Sequence, residues 1–386
     1  MHTYDVDLYA DDTILEPYGH YRAIRDLGPA VFLPKHDLWC LARYEEVRAA
    51  LREYNTFSSA QGVAANDVIN TQSLGNTITT DPPEHNKMRR VIKGPLAAPA
   101  LAPIAPAIEE EAERLVDRLM RQKSFDGITE CAQHLPVTIV SKIVGLPEGG
   151  RANMLRWASA TFDALGTMNE RGREALPHIQ ELHRYCTDED TLAGLSSDGW
   201  AAAIWRAADD GRVPHWKCPA MMRDYVSPSL DTTILATGSL LWLFGRFPEQ
   251  WEMVRSDESL IAGAINEAIR LESPIRGFTR VSTRELSYDD EAIPSGARFL
   301  LLYASANRDE RKWRDPETFD VKRDARDHLG FGFGPHVCVG MHLAKLEITA
   351  LVKAFARRVG RFELGEPRRA TNNVLRGFAR LPITVH

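Results

Sequence analysis

Three glycines and one cysteine shape the segment Phe331-Gly332-Phe333-Gly334-Pro335-His336-Val337-Cys338-Val339-Gly340. Glycines lack a Cβ and let the backbone approach a flat cofactor closely, while Pro335 stiffens the turn between them. The residues after Cys338 follow a helical pattern whose first turn is predicted to begin at the cysteine. Because the free N–H groups at a helix start favour thiolate over thiol, Cys338 is a candidate iron ligand.

This segment resembles the haem-binding loop of the cytochrome P450 superfamily, Phe-Gly-x-Gly-x-His/Arg-x-Cys-x-Gly, in which the cysteine thiolate is the proximal iron ligand. Every fixed position of that pattern is filled, so the resemblance implies haem b (iron protoporphyrin IX) bound at Cys338. The alternative is a buried structural cysteine in a Gly-rich loop. We prefer that alternative for Cys40, Cys131, Cys186 and Cys218.

Composition predicts a globular, cytoplasmic protein. The chain has 386 residues, 44% of them hydrophobic, and no Gly/Ser/Pro-rich linker divides it, so we expect one domain, 1–386. Five cysteines without paired spacing indicate a reducing compartment. The segment 1–15 carries four aspartates and no long apolar run, so we expect no signal peptide or membrane anchor. A net charge of −6 gives no reason to expect nucleic acid, and we expect a monomer.

Helical patterns dominate the chain after residue 84, and short strand-like runs flank them. The pattern predicts a helix over 17–27, a hairpin of 30–33 and 38–42, a long loop over 57–80, helices over 221–244 and 259–271, and late strands at 279–282, 298–302 and 381–385. The predicted class is mainly α with a minor β portion. The resemblance implies the cytochrome P450 fold, with haem between a long distal helix and the proximal cysteine loop, over essentially the full length.

Glu267 and Arg270 place a carboxylate and a guanidinium three residues apart on one helix. Such pairs usually lie on the surface, but apolar neighbours indicate that this one is buried. The resemblance implies that a downstream meander, 304–323, locks onto the pair and steadies the cysteine loop, so both residues are predicted to be structural.

Haem propionates need cations or strong donors when they are partly buried. The segment 81–90 looks like the family's Asp-Pro-Pro-x-His-x-x-x-Arg motif, which implies that His85 and Arg89 reach the propionates. Arg280 and His336 match two further propionate contacts of the family. Each residue alone is more often a surface residue or a core histidine.

The segment 226–233 resembles the family's Ala-Gly-x-Asp/Glu-Thr-Thr/Ser element in the distal helix. The resemblance implies that Asp231 relays protons from solvent and that Thr232 hydrogen-bonds the activated oxygen. The alternative is that both side chains bond back to the helix or point outward. The sequence departs from the family where the usual Ala-Gly pair is replaced by Pro228-Ser229. Proline predicts a kink, and Ser229 either narrows the oxygen pocket, holds a water or adds a proton donor.

The resemblance implies a mostly apolar pocket, with Gln61, Asn66 and Ser227 as orienting groups. Its predicted lining residues are Phe162, Leu165, Val226, Leu230, Ile275, Phe278, Leu375 and Phe378. No Lys or Arg occurs over 57–80, so a compact neutral substrate is expected unless Arg223 or Arg276 turns inward. The sequence looks most like soluble bacterial members acting on small methoxy-aromatics.

The leading prediction is therefore a monooxygenase that hydroxylates or O-demethylates a small molecule with O2. A chain of this length has no room for a fused flavin reductase, so we expect electrons from a separate ferredoxin and its NAD(P)H-dependent reductase. Two alternatives stay open. One is a peroxide-driven haem-thiolate peroxygenase, and the other is a non-catalytic haem-thiolate binder or sensor.

Overall fold

Helices dominate the structure, a computed structural model that describes residues 1–386. They hold 54% of the residues, which confirms the predicted mainly helical class. The helices α1 to α18 are, in chain order, Asp11–Leu15, Tyr18–Leu27, Tyr44–Arg52, Asp67–Gln72, Glu84–Leu96, Ala98–Leu101, Ala105–Gln122, Ser141–Val144, Glu148–Leu165, Glu170–Tyr185, Glu189–Ala193, Trp200–Asp209, Cys218–Val226, Asp231–Arg246, Pro248–Ser256, Ile261–Glu272, Tyr303–Ala306 and Met341–Ala356. Shorter 3₁₀ turns lie at Thr77–Thr79, His215–Lys217, Glu258–Leu260 and Gly334–His336, and π-helices at Gly127–Ala132 and Pro136–Val140.

Twelve short strands form four small sheets. The strands β1 to β12 are Val31–Leu33, Leu38–Leu41, Phe57–Ser58, Ser124–Asp126, Phe278–Ser282, Leu286–Tyr288, Glu291–Ile293, Arg298–Leu301, Phe362–Leu364, Arg368–Arg369, Phe378–Arg380 and Pro382–Val385. The largest sheet has the order β1-β2-β8-β5-β3, in which only β2 and β8 are parallel. The others are β4-β12-β9, β6-β7 and β10-β11.

Helix α14 runs through the main hydrophobic core. Its residues from Thr233 to Leu241 are all buried, and it packs against α16 and α18. A helix that is apolar on nearly every face belongs in the interior. Helix α18 begins directly after the cysteine loop, with Gly340 as its N-cap. This packing places the start of α14 and the cysteine loop on the wall of one cavity.

Several local predictions are confirmed. The early helix is Tyr18–Leu27, and the hairpin pairs β1 with β2 in the register Val31↔Cys40. The predicted loop over 57–80 is only partly right, because β3, α4 and a 3₁₀ turn interrupt it. Asn66 starts α4 by accepting the backbone N–H of Ile69 at 2.9 Å, an N-cap signal within a segment of weak periodicity.

The long helix predicted over 221–244 is wrong as one element. It is two helices, α13 and α14, separated by residues 227–230. Pro228 is the physical cause, because it has no N–H to donate and its ring clashes with the preceding turn. Asp231 therefore begins a helix and is not in the middle of one.

No single helix is long and apolar enough to cross a bilayer. Only the bent pair Glu84–Leu101 and Ala105–Gln122, which meet at 71°, reaches that length and composition when taken together.

Candidate active site

One cavity of about 310 Å³ lies between the cysteine loop, α5, β5, α9 and the α13–α14 break. Cys338 lies deep in the fold but faces this cavity, whereas the other four cysteines are packed in the interior. Phe331, Gly332 and Gly340 line it as well. Gly332 has a φ of 71°, a left-handed conformation that favours glycine, so this turn depends on its missing side chain. Backbone hydrogen bonds close the loop, from Gly332 N to Leu329 O at 2.8 Å and from Cys338 N to Phe331 O at 2.7 Å.

The thiol of Cys338 is held in a balance of opposing influences. Burial raises its pKa, while the backbone N–H groups of Gly340 and Met341 and the charge of Arg89 lower it. The helix begins at Met341, three residues later than predicted, and burial outweighs these donors. A bound metal cation would shift this balance to the thiolate.

Four cationic or titratable side chains converge beside the cysteine loop. Arg89, Arg280 and His336 line the cavity, and the ring of His85 lies 4.3 Å from that of His336. Neither arginine forms an ion pair: Arg89 donates to Val337 O, and Arg280 donates to Thr279 O at 2.7 Å. The pKa of His336 is lowered to about 2, first by burial and then by Arg280, and burial also lowers the pKa of His85.

This cluster fits a group that carries buried anionic arms. Nε2 of His85 is buried without a hydrogen-bond partner, and Arg280 is only 3% exposed with no carboxylate beside it. Buried cations without counter-charges are unfavourable, so the cluster is built for an anionic ligand. The features of this cavity fit a haem: the glycine loop and the thiol of Cys338 suit its iron and its flat ring, and the cationic side chains suit its propionates.

The Glu267–Arg270 pair lies behind the cysteine loop and is fully buried. Arg270 also donates to Asn307 O at 2.7 Å, and Arg323 donates to Glu267 at 2.9 Å, which ties the pair to the meander. Asn307 in turn accepts the N–H of Leu329 at 2.7 Å, just ahead of the cysteine loop. The resemblance described above implied that the meander contacts this pair.

Thr232, Thr233 and Ser229 line the cavity beside the helix break. The Thr232 hydroxyl donates to Pro228 O at 3.0 Å, and the Ser229 hydroxyl donates to Tyr225 O. Both hydroxyls therefore satisfy carbonyls that the broken helix leaves free. For Thr232, the sequence left open that the side chain bonds back to the helix, and the structure shows that contact.

Asp231 does not line the cavity. Burial raises its pKa to about 7, and the nearby carboxylate of Asp163 adds to that shift. Asp163, at the end of α9, has its pKa raised to about 6 by burial, although the N–H of Asn373 donates to it at 2.9 Å. The Asp231 carboxyl is thus able to exchange protons near neutral pH. The sequence does not single out Asp163, since nothing local marks it.

The predicted cavity wall is partly right. Phe162, Leu165, Ile275, Phe278 and Ser227 line the cavity. Val226, Leu230, Leu375 and Phe378 do not; they are buried in the core, Phe378 against the ring of Trp242. Asn66 and Gln61 are also absent from the wall: the Asn66 amide donates to Ala164 O, and Gln61 is exposed.

Glu347 lines the cavity and was not predicted from the sequence. It is 2% exposed, both of its oxygens lack a hydrogen-bond partner, and burial raises its pKa to about 8. The available signal was a lone carboxylate between Leu346 and Ile348 on an apolar helix face. A carboxyl kept neutral by its surroundings is typical of a functional site or of an unfilled hydrogen bond.

Comparison with known proteins decides the family. Residues 255–382 match the model of the family described as Cytochrome P450. The chain is 33% identical to cytochrome P450 CYP199A2 of Rhodopseudomonas palustris over 383 residues, which cover 98% of this chain and 93% of that protein. The chain belongs to the cytochrome P450 family. It is also 28% identical to the beta-dihydromenaquinone-9 omega-hydroxylase of Mycobacterium tuberculosis, over 100% of this chain and 79% of that one.

Solved structures agree with the family and its fold. The P450 haem domain of Tepidiphilus thermophilus superposes with a TM-score of 0.84 at 26% identity, covering 98% of this chain and 96% of that chain. The protein is accordingly a haem-thiolate cytochrome P450 monooxygenase, an oxidoreductase, and its fold is that of the family. When bound, the haem supplies the activation of O2.

Proposed function

We propose that this P450 hydroxylates or O-demethylates a small molecule with a mainly apolar, aromatic body. The observation that carries this proposal is the cavity wall beside Cys338, which is apolar over most of its surface. Phe162 and Phe278 offer flat faces to an aromatic ring.

We propose that Cys338 is the iron ligand and that His85, Arg89, Arg280 and His336 hold the propionates. The support is the convergence of these side chains without carboxylate partners, described above. The haem is proposed to be haem b, held without covalent links. Attachment through thioethers uses a Cys-x-x-Cys-His segment, which the chain lacks, and Cys40, Cys131, Cys186 and Cys218 are all buried.

Proton delivery is assigned to Asp231 and Thr232. Asp231 has a pKa of about 7, close to the value that suits a proton relay at neutral pH. Thr232, the next residue, lies on the cavity wall, and its hydroxyl is able to accept a hydrogen bond while it donates to Pro228 O. Protons would thus pass from the Asp163–Asp231 region to the cavity through the helix break.

The ratio of product formed to NAD(P)H consumed tests this assignment. Thr232→Ala is expected to bind substrate and accept electrons but to release more hydrogen peroxide, and Asp231→Asn to slow oxygen consumption. Loss of a positioned proton donor typically costs roughly 10²–10⁴-fold. Thr237→Ala, in the same helix and bonded back to Thr233 O at 2.8 Å, is the control. Unchanged coupling in both variants would mean that protons arrive by another route.

Turnover with peroxide but not with electron donors would favour the peroxygenase, and no turnover with either would favour a sensor.

Electrons are proposed to come from a ferredoxin and an NAD(P)H-dependent reductase. The exposed side of α5 carries Lys87, Arg90 and Lys93, and the same helix contacts the cysteine loop through Arg89. Lys87 pairs with Glu84 at 3.1 Å, while Arg90 and Lys93 form no ion pair. Such a basic face attracts an acidic partner.

Five unpaired cysteines and the need for NAD(P)H support a cytoplasmic location.

Reversing this charge tests the partner surface. The Arg90→Glu/Lys93→Glu variant is expected to slow reduction by an acidic ferredoxin and to reduce its salt dependence, with substrate binding unchanged. The double variant Arg184→Glu/Arg206→Glu, on the exposed sides of α10 and α12, is the control with the same change in net charge. Equal reduction rates for both variants would contradict the proposed docking face.

A further inference from the structure

Arg223 is the one arginine on the cavity wall that the haem site leaves unassigned. Three arginines line the cavity, Arg89, Arg223 and Arg280, and the other two flank the cysteine loop. Arg223 lies on α13, and its Nη2 donates to Asn76 Oδ1 at 3.0 Å. Its Nε is buried without a hydrogen-bond partner, and it forms no ion pair. A guanidinium in this condition lacks its preferred partner, an anion with two oxygens.

The charged and titratable groups around Arg223 leave room for an anion. His183 on α10 also lines the cavity, and its pKa is lowered to about 4, first by burial and then by Arg223, so it is neutral and able to donate. Cys186, from the same helix, is buried with a pKa raised to about 12. Asp224 is the one acid nearby; it also lines the cavity, forms no ion pair with Arg223, and accepts the N–H of Thr77 at 3.1 Å.

Arg276, the other candidate cation, is occupied elsewhere. It donates to the Tyr21 hydroxyl at 2.8 Å and to Leu8 O at 2.6 Å, away from the cavity wall. A neutral substrate was expected on the condition that neither Arg223 nor Arg276 turned towards the cavity. Arg223 does turn inward, so the condition for an anionic substrate group is met.

We propose that Arg223 binds the carboxylate of the substrate, which makes the substrates of this P450 small monocarboxylates with an apolar, preferably aromatic body. This inference deepens the proposed function and rests on it.

Binding to the haem-loaded protein tests the proposal without oxygen or electrons. The probes are 4-methoxybenzoate and 4-methoxyphenylacetate, each compared with its primary amide, by calorimetry and by the haem spectral shift. Wild type should bind the acids more tightly than the amides. Arg223→Gln should weaken acid binding roughly tenfold to a hundredfold, the worth of a charge-assisted hydrogen bond, and change amide binding little. Arg223→Lys should retain part of the acid preference.

Two further variants make the test specific. Arg184→Gln removes one positive charge from the exposed side of α10 and should leave the acid preference unchanged. Asp224→Asn removes the nearby negative charge, keeps an oxygen for Thr77 N–H, and should tighten acid binding.

The inference is overturned if neither acid binds more tightly than its amide, or if Arg223→Gln weakens acid and amide equally. These outcomes are separate from the proposed function. A protein that prefers the acids but never oxidises them keeps the Arg223 site and loses the monooxygenase proposal, while one that oxidises the neutral amides equally well does the reverse.

Discussion

Glu267 binds Arg270 through two parallel hydrogen bonds, Nε to Oε2 at 2.7 Å and Nη2 to Oε1 at 2.8 Å, and both side chains are 0% exposed. The pair is connected to Leu329, at the start of the cysteine loop, through Asn307. Loss of Glu267 leaves the buried charge of Arg270 uncompensated, and loss of Arg270 leaves Glu267 paired with Arg323 alone and frees the meander on which the loop rests.

We therefore expect Arg270→Ala or Glu267→Ala to give little folded haem protein. Breaking one side of a buried pair costs about 3–5 kcal/mol, a large share of typical domain stability. The matched control is Arg255→Ala, which breaks an exposed pair at the same three-residue spacing with Glu252 and should cost under about 1 kcal/mol. Haem content and urea unfolding are measured for the buried-pair variants and for the control. Normal haem content in Arg270→Ala would contradict the structural role.

His85→Ala should fold but hold haem less tightly. His85 has a buried, unpartnered Nε2 and stacks beside His336, so its removal takes a donor from the propionate site without breaking an ion pair. The measurement is the rate of haem transfer to apomyoglobin. His342→Ala, on the exposed side of α18, is the control and should transfer haem at the wild-type rate. Equal rates for the two variants would remove His85 from the haem site.

Ser229→Ala should lower stability and leave coupling unchanged. The Ser229 hydroxyl donates to Tyr225 O, so it is engaged by the backbone at the helix break. Its loss leaves a carbonyl unpaired, at a cost of about 1 kcal/mol. Product formed per NAD(P)H is the decisive readout. A fall in that ratio would show instead that the serine is the additional proton donor considered from the sequence.

The sequence predicted the cysteine loop, the Glu267–Arg270 pair and the outer helices well, because motif spacing and apolar periodicity are local properties. It failed where the outcome depends on tertiary packing. Pro228 predicted a kink, but the size of the break, and with it the removal of Val226 and Leu230 from the wall, depends on how α13 and α14 pack. The buried carboxyl of Glu347 was missed for the same reason, since its missing partners are visible only in three dimensions.

Glu347 should make stability depend on pH. Its folded pKa of about 8 lies above the ordinary value of 4.5, so the folded state keeps a proton that the unfolded chain releases. Stability therefore falls as pH rises from about 4.5 to about 8, by up to about 1.4 kcal/mol per pH unit. Glu347→Gln should reduce this slope, to which the raised pKa values of Asp163 and Asp231 also contribute, whereas the exposed Glu249→Gln should keep it unchanged. Denaturant midpoints between pH 5 and pH 8 decide, and parallel profiles for wild type and Glu347→Gln would contradict the buried neutral carboxyl.

The most direct test of the whole account is the absorption spectrum of the reduced, carbon-monoxide-bound protein. Thiolate ligation by Cys338 predicts the long-wavelength Soret band that marks this family, retained in Cys218→Ser, whose sulfur is buried away from the cavity. Cys338→Ala should lose the band while any haem that stays bound absorbs elsewhere. Retention of the long-wavelength band in Cys338→Ala would contradict the assignment of Cys338 as the iron ligand.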